Sequence, residues 1–410
     1  MSETPTRVEN VVCVASFFKG ADFLRECRAR GARVFLVTRE RTLGEEWPRE
    51  AIDDLVAIPN DASLDLFLYA VSHLARRVRI DRVVALEEFD VVNTALLREQ
   101  LQVPGMHGTA ARAFRDKLTM RVRAREAGIR VPDFVHVLNH EALHAFMTRV
   151  SAPWVLKPRS DVSSIGIKKL HDPEQVWRAI DELDARGALH ERSPYYVLEQ
   201  YVAGEVFHVD SLVEDGEVTF AGVNRYGRPP LDVAQQGGVY ISHTLDYDSE
   251  DRARLEEFNR RLLKSLRLES GAAHAEFIKG EADGEFYFLE VASRVGGAYM
   301  AETLEAASGV NLWREWARLE LAGGSRAAEE RPQPRREYGG IALSLARQEW
   351  PDTSQYTDAE IVGRVRKAYH VGLVVGSPSL ARVEELLDDY ARRFAADFCA
   401  VAPPHERPPL

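Results

Sequence analysis

Two glutamates, Glu276 and Glu290, stand in apolar runs on either side of Glu281-Ala282-Asp283-Gly284. Apolar runs around a turn containing Gly predict a β-hairpin, because Gly adopts the positive φ the turn requires. With a loop over residues 282–284, Glu276 falls opposite Glu290. Side chains alternate with period two, so His274, Glu276, Glu290, Ala292 and Arg294 share one face. Facing carboxylates repel unless water or a cation lies between them. The neighbours Phe277, Ile278, Phe286, Phe288 and Leu289 argue against water, which favours a hard divalent cation. The competing reading is the solvated polar face of an edge hairpin.

Three upstream stretches could hold a phosphorylated ligand. Residues 153–158, PWVLKP, form an apolar strand carrying Lys157, followed by a small-residue loop over 160–166 with Ser163, Ser164 and Gly166. Loop N–H groups and a lysine at a strand mouth suit phosphate oxygens. A Walker A loop would lead into a helix, and this one returns to a strand. Residues 195–202, YYVLEQYV, supply Glu199, Gln200, Tyr201 and Val202, with Glu205 just beyond. An adenine needs an apolar slot with backbone groups at its edge, and a ribose needs a carboxylate. Arg115-Asp116-Lys117 begins a basic stretch, in which Lys117 taken alone reads as a solvated lysine. Glu87, at the carboxyl end of a predicted strand, and Arg225 and His243, in a Gly- and Pro-rich segment over 224–243, are candidates for substrate contacts.

The elements that must position these groups follow from the hydrophobic pattern. Residues 10–105 alternate strand and helix signals, as in a doubly wound parallel sheet. The first turn, Ser16-Phe17-Phe18-Lys19-Gly20, lacks the G-x-G-x-x-G run of a dinucleotide site. A helix is predicted over 110–127, and strands over 153–158, 167–170, 195–202 and 206–213. The expected domains are an N-terminal α/β unit over 1–105, a lid with its linker helices over 106–202, a metal-bearing unit over 203–325, and an α+β lobe with a tail over 326–410. The fold class is α/β and α+β with a central mixed or antiparallel sheet.

Composition bounds the function. The 410 residues are 45% hydrophobic and 29% charged, as in globular proteins. A formal charge of −11 weighs against a nucleic-acid partner. Three scattered cysteines, the lack of a signal-peptide pattern and the lack of a membrane-length apolar run lead to the expectation of a cytoplasmic protein without a membrane partner.

The ordered set RDK at 115–117, Lys157 with its Ser/Gly loop, LEQYVAGE at 198–205, AEF at 275–277 and LEVASRVGG at 289–297 resembles the ATP-grasp superfamily. The resemblance covers roughly residues 1–325 and implies the following roles. Lys117 and Lys157 would contact ATP phosphates under the loop with Ser163, Ser164 and Gly166. Glu199, Gln200, Tyr201 and Val202 would form the adenine hinge, and Glu205 would take the ribose. Glu276 and Glu290 would hold Mg2+, with Mn2+ as a substitute. Arg294 would stabilise an acyl phosphate or tetrahedral intermediate. The pattern around Arg294, with His243 upstream, is most similar to L-amino-acid ligases, and places Ala298 near the substrate pocket. The family's Asn two residues beyond the second metal glutamate is replaced by Ala292.

The implied activity is ADP-forming ligation of a small-molecule carboxylate to an amine, and the family admits a homodimer. The alternatives are a bicarbonate-activating carboxylase and an ATP-binding regulatory protein of weak catalytic power.

Overall fold

A computed structural model describes residues 8–161 and 165–400. Ser163 and Ser164, and the tail after residue 400, lie outside the described residues.

Three sheets carry the chain. The first is parallel, with strands β1 (Asn10–Ala15), β2 (Arg33–Arg39), β3 (Asp54–Ile58) and β4 (Arg82–Ala85) in the order β3-β2-β1-β4. Central β1, NVVCVA, is apolar after Asn10 and buried over those five residues, as expected for a strand covered on both faces. Cys13 is a small core residue there. The second sheet is antiparallel, from β5 (Phe134–His136), β6 (Trp154–Pro158), β7 (Lys168–Leu170) and β8 (Tyr196–Gln200) in the order β5-β8-β6-β7.

The third sheet has eight strands: β9 (Gly204–Glu214), β10 (Glu217–Tyr226), β11 (Tyr240–Thr244), β12 (Gly271–Gly280), β13 (Phe286–Ala292), β14 (Tyr338–Leu345), β15 (Ile361–Arg364) and β16 (His370–Ser377). Their order is β13-β12-β9-β10-β11-β14-β16-β15. The strands after residue 326 therefore extend the central sheet rather than build one of their own. Gly204 opens β9 where a Cβ would lie 1.9 Å from the Lys279 carbonyl oxygen of β12, so only glycine allows the two strands to close there.

The structure differs from the sequence expectation in three local respects. The segment over 110–127 is broken: Gly108–Ala111 and Arg112–Phe114 form short turns, and a separate helix starts at Lys117 and runs to Glu126. Asp116 causes the restart, because its carboxylate accepts the Leu118 N–H at 3.0 Å and so caps a new N-terminus. The segment over 224–243 is ordered as the end of β10, a helix at Pro230–Gln236 and strand β11. Its Gly and Pro residues mark the ends of elements rather than one long loop.

The third difference lies in the hairpin. Glu276 does pair with Glu290, but the turn is longer than expected: Gly284, at φ 67°, donates to the Gly280 carbonyl at 2.8 Å, and Gly280 donates to Glu285 at 2.9 Å. Beyond the turn Phe277 pairs with Phe288, and Leu289 is the extra residue before Glu290. This β-bulge restores the register that the longer turn would have shifted. It also lets the consecutive residues Leu289 and Glu290 line the same cavity.

Candidate active site

The cavity lies between the second and third sheets. Its apolar wall comes from Val155, Ile167, Val202, Val206, Ile278 and Leu289. Gln200 and Tyr201 also line it, with their N–H groups committed to the carbonyls of Asp133 at 2.7 Å and Pro153 at 3.1 Å. The Tyr201 ring is covered by the Lys169 ammonium, 3.5 Å from its centroid. Gly166, at φ 69°, sits between the lining residues Ile165 and Ile167.

The polar end of the cavity collects the lysines and carboxylates. Lys117, at the first position of its helix, reaches Glu290 Oε2 at 2.8 Å and donates to the Asp161 carbonyl at 2.7 Å. Burial pushes the Glu290 carboxyl up, but the charge and hydrogen bond of Lys117 outweigh it and pull it down to about 2. Lys157 Nζ lies 2.6 Å from Glu199 Oε2, and Arg121 Nε lies 2.9 Å from Glu199 Oε1. Burial lowers the Lys157 ammonium to about 8 against the pull of Glu199, with Arg121 and Lys117 adding repulsion. Glu199 is thus an ionic support for Lys157, and its carboxylate is committed inside the protein.

Glu276 has its own support. The Tyr226 hydroxyl donates to Glu276 Oε1 at 2.7 Å, and His274 Nε2 stands 3.5 Å from the same oxygen. His274 Nδ1 meets Asp210 Oδ1 at 2.9 Å, and His208 Nδ1 meets Asp210 Oδ2 at 2.6 Å. Burial disfavours the His274 imidazolium, but the charge and hydrogen bond of Asp210, with help from Glu276, lift it to about 10. His208, Asp210 and His274 form a buried hydrogen-bonded triad that fixes the ring beside Glu276.

Arg294 follows β13 and donates to Glu88 Oε2 at 2.6 Å, while Arg115 donates to Glu88 Oε1 at 2.8 Å. Glu87, 3% exposed, points instead to Lys19 Nζ at 2.5 Å. The residues 115–117 therefore divide their work: Arg115 holds Glu88, Asp116 caps the helix and Lys117 meets Glu290. Ala298 is exposed at φ 51° and lines neither this cavity nor the second one described below.

Three expected site residues are placed elsewhere by strand alternation. On β9, Gly204 and Val206 line the cavity, so Glu205 points to the opposite face, exposed and 3.2 Å from Arg225 Nη1. The expected ribose carboxylate is thereby replaced in the cavity by Val206. On β10 and β11, Tyr226 and Ser242 belong to the cavity-side network, so Arg225 and His243 belong to the back of the sheet. Arg225 Nη2 and His243 Nε2 approach Glu384 of the helix Leu380–Asp397 at 3.8 and 4.0 Å. His243 is no partner of Arg294 in this arrangement.

The sequence singles out Glu87 rather than Glu88 of its stretch and puts His274 on the face of Glu276 without a role; it does not reveal Arg121, Tyr226 or the link of His274 to His208 and Asp210. Glu88 sits beside the chosen Glu87 in Glu87-Glu88-Phe89-Asp90, and only the short turn after β4 decides which of the two faces Arg294. Polar residues inside the otherwise buried run of β9, GEVFHVDSLVE, were the available signal for the triad.

The donor set fits a divalent cation: two hard carboxylates face each other, and Glu290 stays ionised across the neutral range.

A family model described as the ATP-grasp domain matches residues 150–302, and one described as the ATP-grasp N-terminal domain matches residues 24–105. The chain is 24% identical over 234 residues to an L-arginine-specific L-amino acid ligase of Bacillus subtilis, covering 57% of this chain and 56% of the relative. The chain thus spans about half the length of the curated relatives it matches. The fold superposes on an L-amino acid ligase from Bacillus licheniformis with a TM-score of 0.74 at 18% identity, over 96% of this chain and 98% of the other. A biotin carboxylase from Campylobacter jejuni gives a TM-score of 0.68 at 16% identity, over 93% and 90%. Among the described residues no helix is long and apolar enough to cross a membrane.

Proposed function

This chain is an ATP-grasp protein, and from that premise we propose that it is an ADP-forming ligase joining a small-molecule carboxylate to an amine through an acyl phosphate. The observation that carries the reading is the convergence of Lys117, Lys157, Glu276 and Glu290 on one cavity. Apolar walls at one end suit a purine, and the lysines at the other suit its phosphates.

Lys157 is held by Glu199 so that its ammonium points along the cavity rather than into solvent. Lys117 sits between the Asp161 carbonyl and Glu290 and can transfer its hydrogen bonds to phosphate oxygens. A Mg2+ ion held by Glu276 and Glu290 would offset the charge of the transferred phosphoryl group. The substrate carboxylate attacks the γ-phosphorus to give an acyl phosphate and ADP. The amine then attacks the carbonyl carbon, and phosphate leaves. Arg294, oriented by Glu88, donates to the oxyanion formed at that carbon.

The ligase named L-arginine-specific makes amino acids the first substrates to offer. The test is a screen for ADP release over pairs of L-amino acids, with the product identified by mass. Release that depends on both partners and yields a condensed product supports the reading. Release driven by bicarbonate alone, or none with any pair despite tight ATP binding, overturns it.

A further inference from the structure

A second cavity lies on the far side of the Glu88–Arg294 pair. It runs along the free edge of β4 and is closed by residues 104–107, the start of β12 and the last turn of the helix Leu312–Leu321. Its volume is about 520 Å³, within the range that small-molecule ligands occupy. No residue lines both this cavity and the one holding Lys157 and Glu290.

Its walls carry opposite charges that do not neutralise each other. Arg98 is 8% exposed; its Nε and Nη1 donate to the carbonyls of Val83 at 2.8 Å and Met106 at 3.1 Å. Its Nη2 has no hydrogen-bond partner among the described residues. Glu320 accepts from Trp316 Nε1 through Oε1 at 3.0 Å, and its other oxygen has no partner among the described residues. Burial raises the Glu320 carboxyl and lowers the Arg98 guanidinium, the charge of each only partly offsets this for the other, and the two form no direct ion pair. The Ser270 hydroxyl, also in the wall, is buried without a hydrogen-bond partner. A buried guanidinium and a half-buried carboxylate left apart cost more than a pair in contact.

We infer that this cavity binds a small zwitterion of the α-amino-acid class, its carboxylate on Arg98 and its ammonium on Glu320. A simple anion would meet Glu320, and a simple cation would meet Arg98. The wall also carries Arg82 and Arg267 against Asp215 and Glu269, so neither sign of charge dominates it. The Trp316 ring and Val91 give an apolar wall for a neutral side chain.

The position makes this an effector site. Ala85 and Val91 in the wall flank the segment that carries Glu88, and Ser293 in the wall precedes Arg294. An occupant therefore meets residues close in the chain to both members of the ion pair that orients Arg294. The inference stands apart from the ligase reading, because its test reads binding and not turnover.

The test is isothermal titration of the full chain, without nucleotide, with L-leucine and a panel of other neutral L-amino acids. The leucine analogues 4-methyl-2-oxopentanoate and 3-methylbutylamine each lack one charge. Saturable binding of an amino acid is expected, with both analogues of the leucine pair at least about tenfold weaker. Glu320→Gln removes the anion, and Ser270→Leu fills the cavity without deleting a hydrogen bond. Each is expected to weaken amino-acid binding about tenfold or more while the affinity for an ATP analogue stays unchanged. Circular dichroism reports whether Glu320→Gln folds; where it does not, Ser270→Leu decides. No amino-acid binding, equal binding of the analogues, or wild-type binding in the folded variants overturns the inference.

Discussion

Glu88 and Arg294 are 206 residues apart in the chain and meet at 2.6 Å, joining the first sheet to the segment that follows the hairpin. Arg115 takes the other carboxylate oxygen, so one buried acid holds two guanidinium groups. Despite the cost of burial, the Glu88 carboxyl is held below its ordinary value by Arg294 and Arg115. Glu88 thus orients the guanidinium of Arg294, which also donates to the Val295 carbonyl at 3.0 Å.

Glu88→Gln should therefore do more than remove one contact. It leaves two buried guanidinium groups facing a neutral amide, and breaking a buried pair costs about 3–5 kcal/mol. Chemical denaturation should show a loss of that order, and ADP release should fall in the fraction that remains folded. Wild-type stability together with wild-type turnover would remove Glu88 from its orienting role.

Lys157 gives a prediction in pH. Its folded value of about 8 lies below the ordinary 10.5, because burial outweighs Glu199. Its charge is full well below pH 8 and is lost as pH rises through it. ATP affinity of the free protein should then fall between about pH 7 and 9, approaching the loss of one charge-assisted hydrogen bond, about 1.5–3 kcal/mol. Lys157→Arg keeps the charge and should flatten that dependence. The unfolded chain binds the extra proton between about pH 8 and 10.5, so the contribution of Lys157 to stability rises with pH across that window. A titration of nucleotide affinity that is flat in the wild type would refute the assignment.

Glu290→Gln removes the acid that Lys117 holds at 2.8 Å and one of the two facing carboxylates. Turnover should be abolished while circular dichroism remains that of the wild type. Mg2+ dependence of ATP-analogue binding should weaken in the same variant. Because Lys117 holds Glu290 down to about 2, metal dependence in the wild type should show no titration of Glu290 between pH 5 and 8. Full activity in Glu290→Gln would sink the metal assignment.

Much of this arrangement was legible in the sequence, for physical reasons. The apolar run of β1 and the strand–helix alternation after it specify a parallel sheet, because only buried strands read as continuous hydrophobic segments. The pairing of Glu276 with Glu290 was also legible, though through a turn of the wrong length: the bulge at Leu289 cancels the error. Less legible was which face a residue takes near a strand end. Glu205, Arg225 and His243 have suitable chemistry, but period-two alternation puts all three behind the sheet. A one-residue change in where β9 begins reverses that outcome. The long-range pairs, Glu88 with Arg294 and Arg121 with Glu199, leave no local signal at all.

The reversal of Glu205 yields the sharpest test of the corrected site. Its carboxylate is exposed and pairs with Arg225 at 3.2 Å on the face away from the cavity, while the neighbouring Val206 lines it. Exposed pairs of this kind contribute about 0–1 kcal/mol to stability. Glu205→Ala should thus leave the affinity for an ATP analogue within about twofold of the wild type and stability within about 1 kcal/mol. Val206→Asp should act in the opposite sense: it sets an uncompensated carboxylate in the apolar wall beside Ile278 and weakens nucleotide binding at neutral pH. Calorimetric titration of both variants separates the two placements. If Glu205→Ala loses nucleotide affinity and Val206→Asp keeps it, the strand faces are assigned the wrong way round, and Glu205 returns to the site.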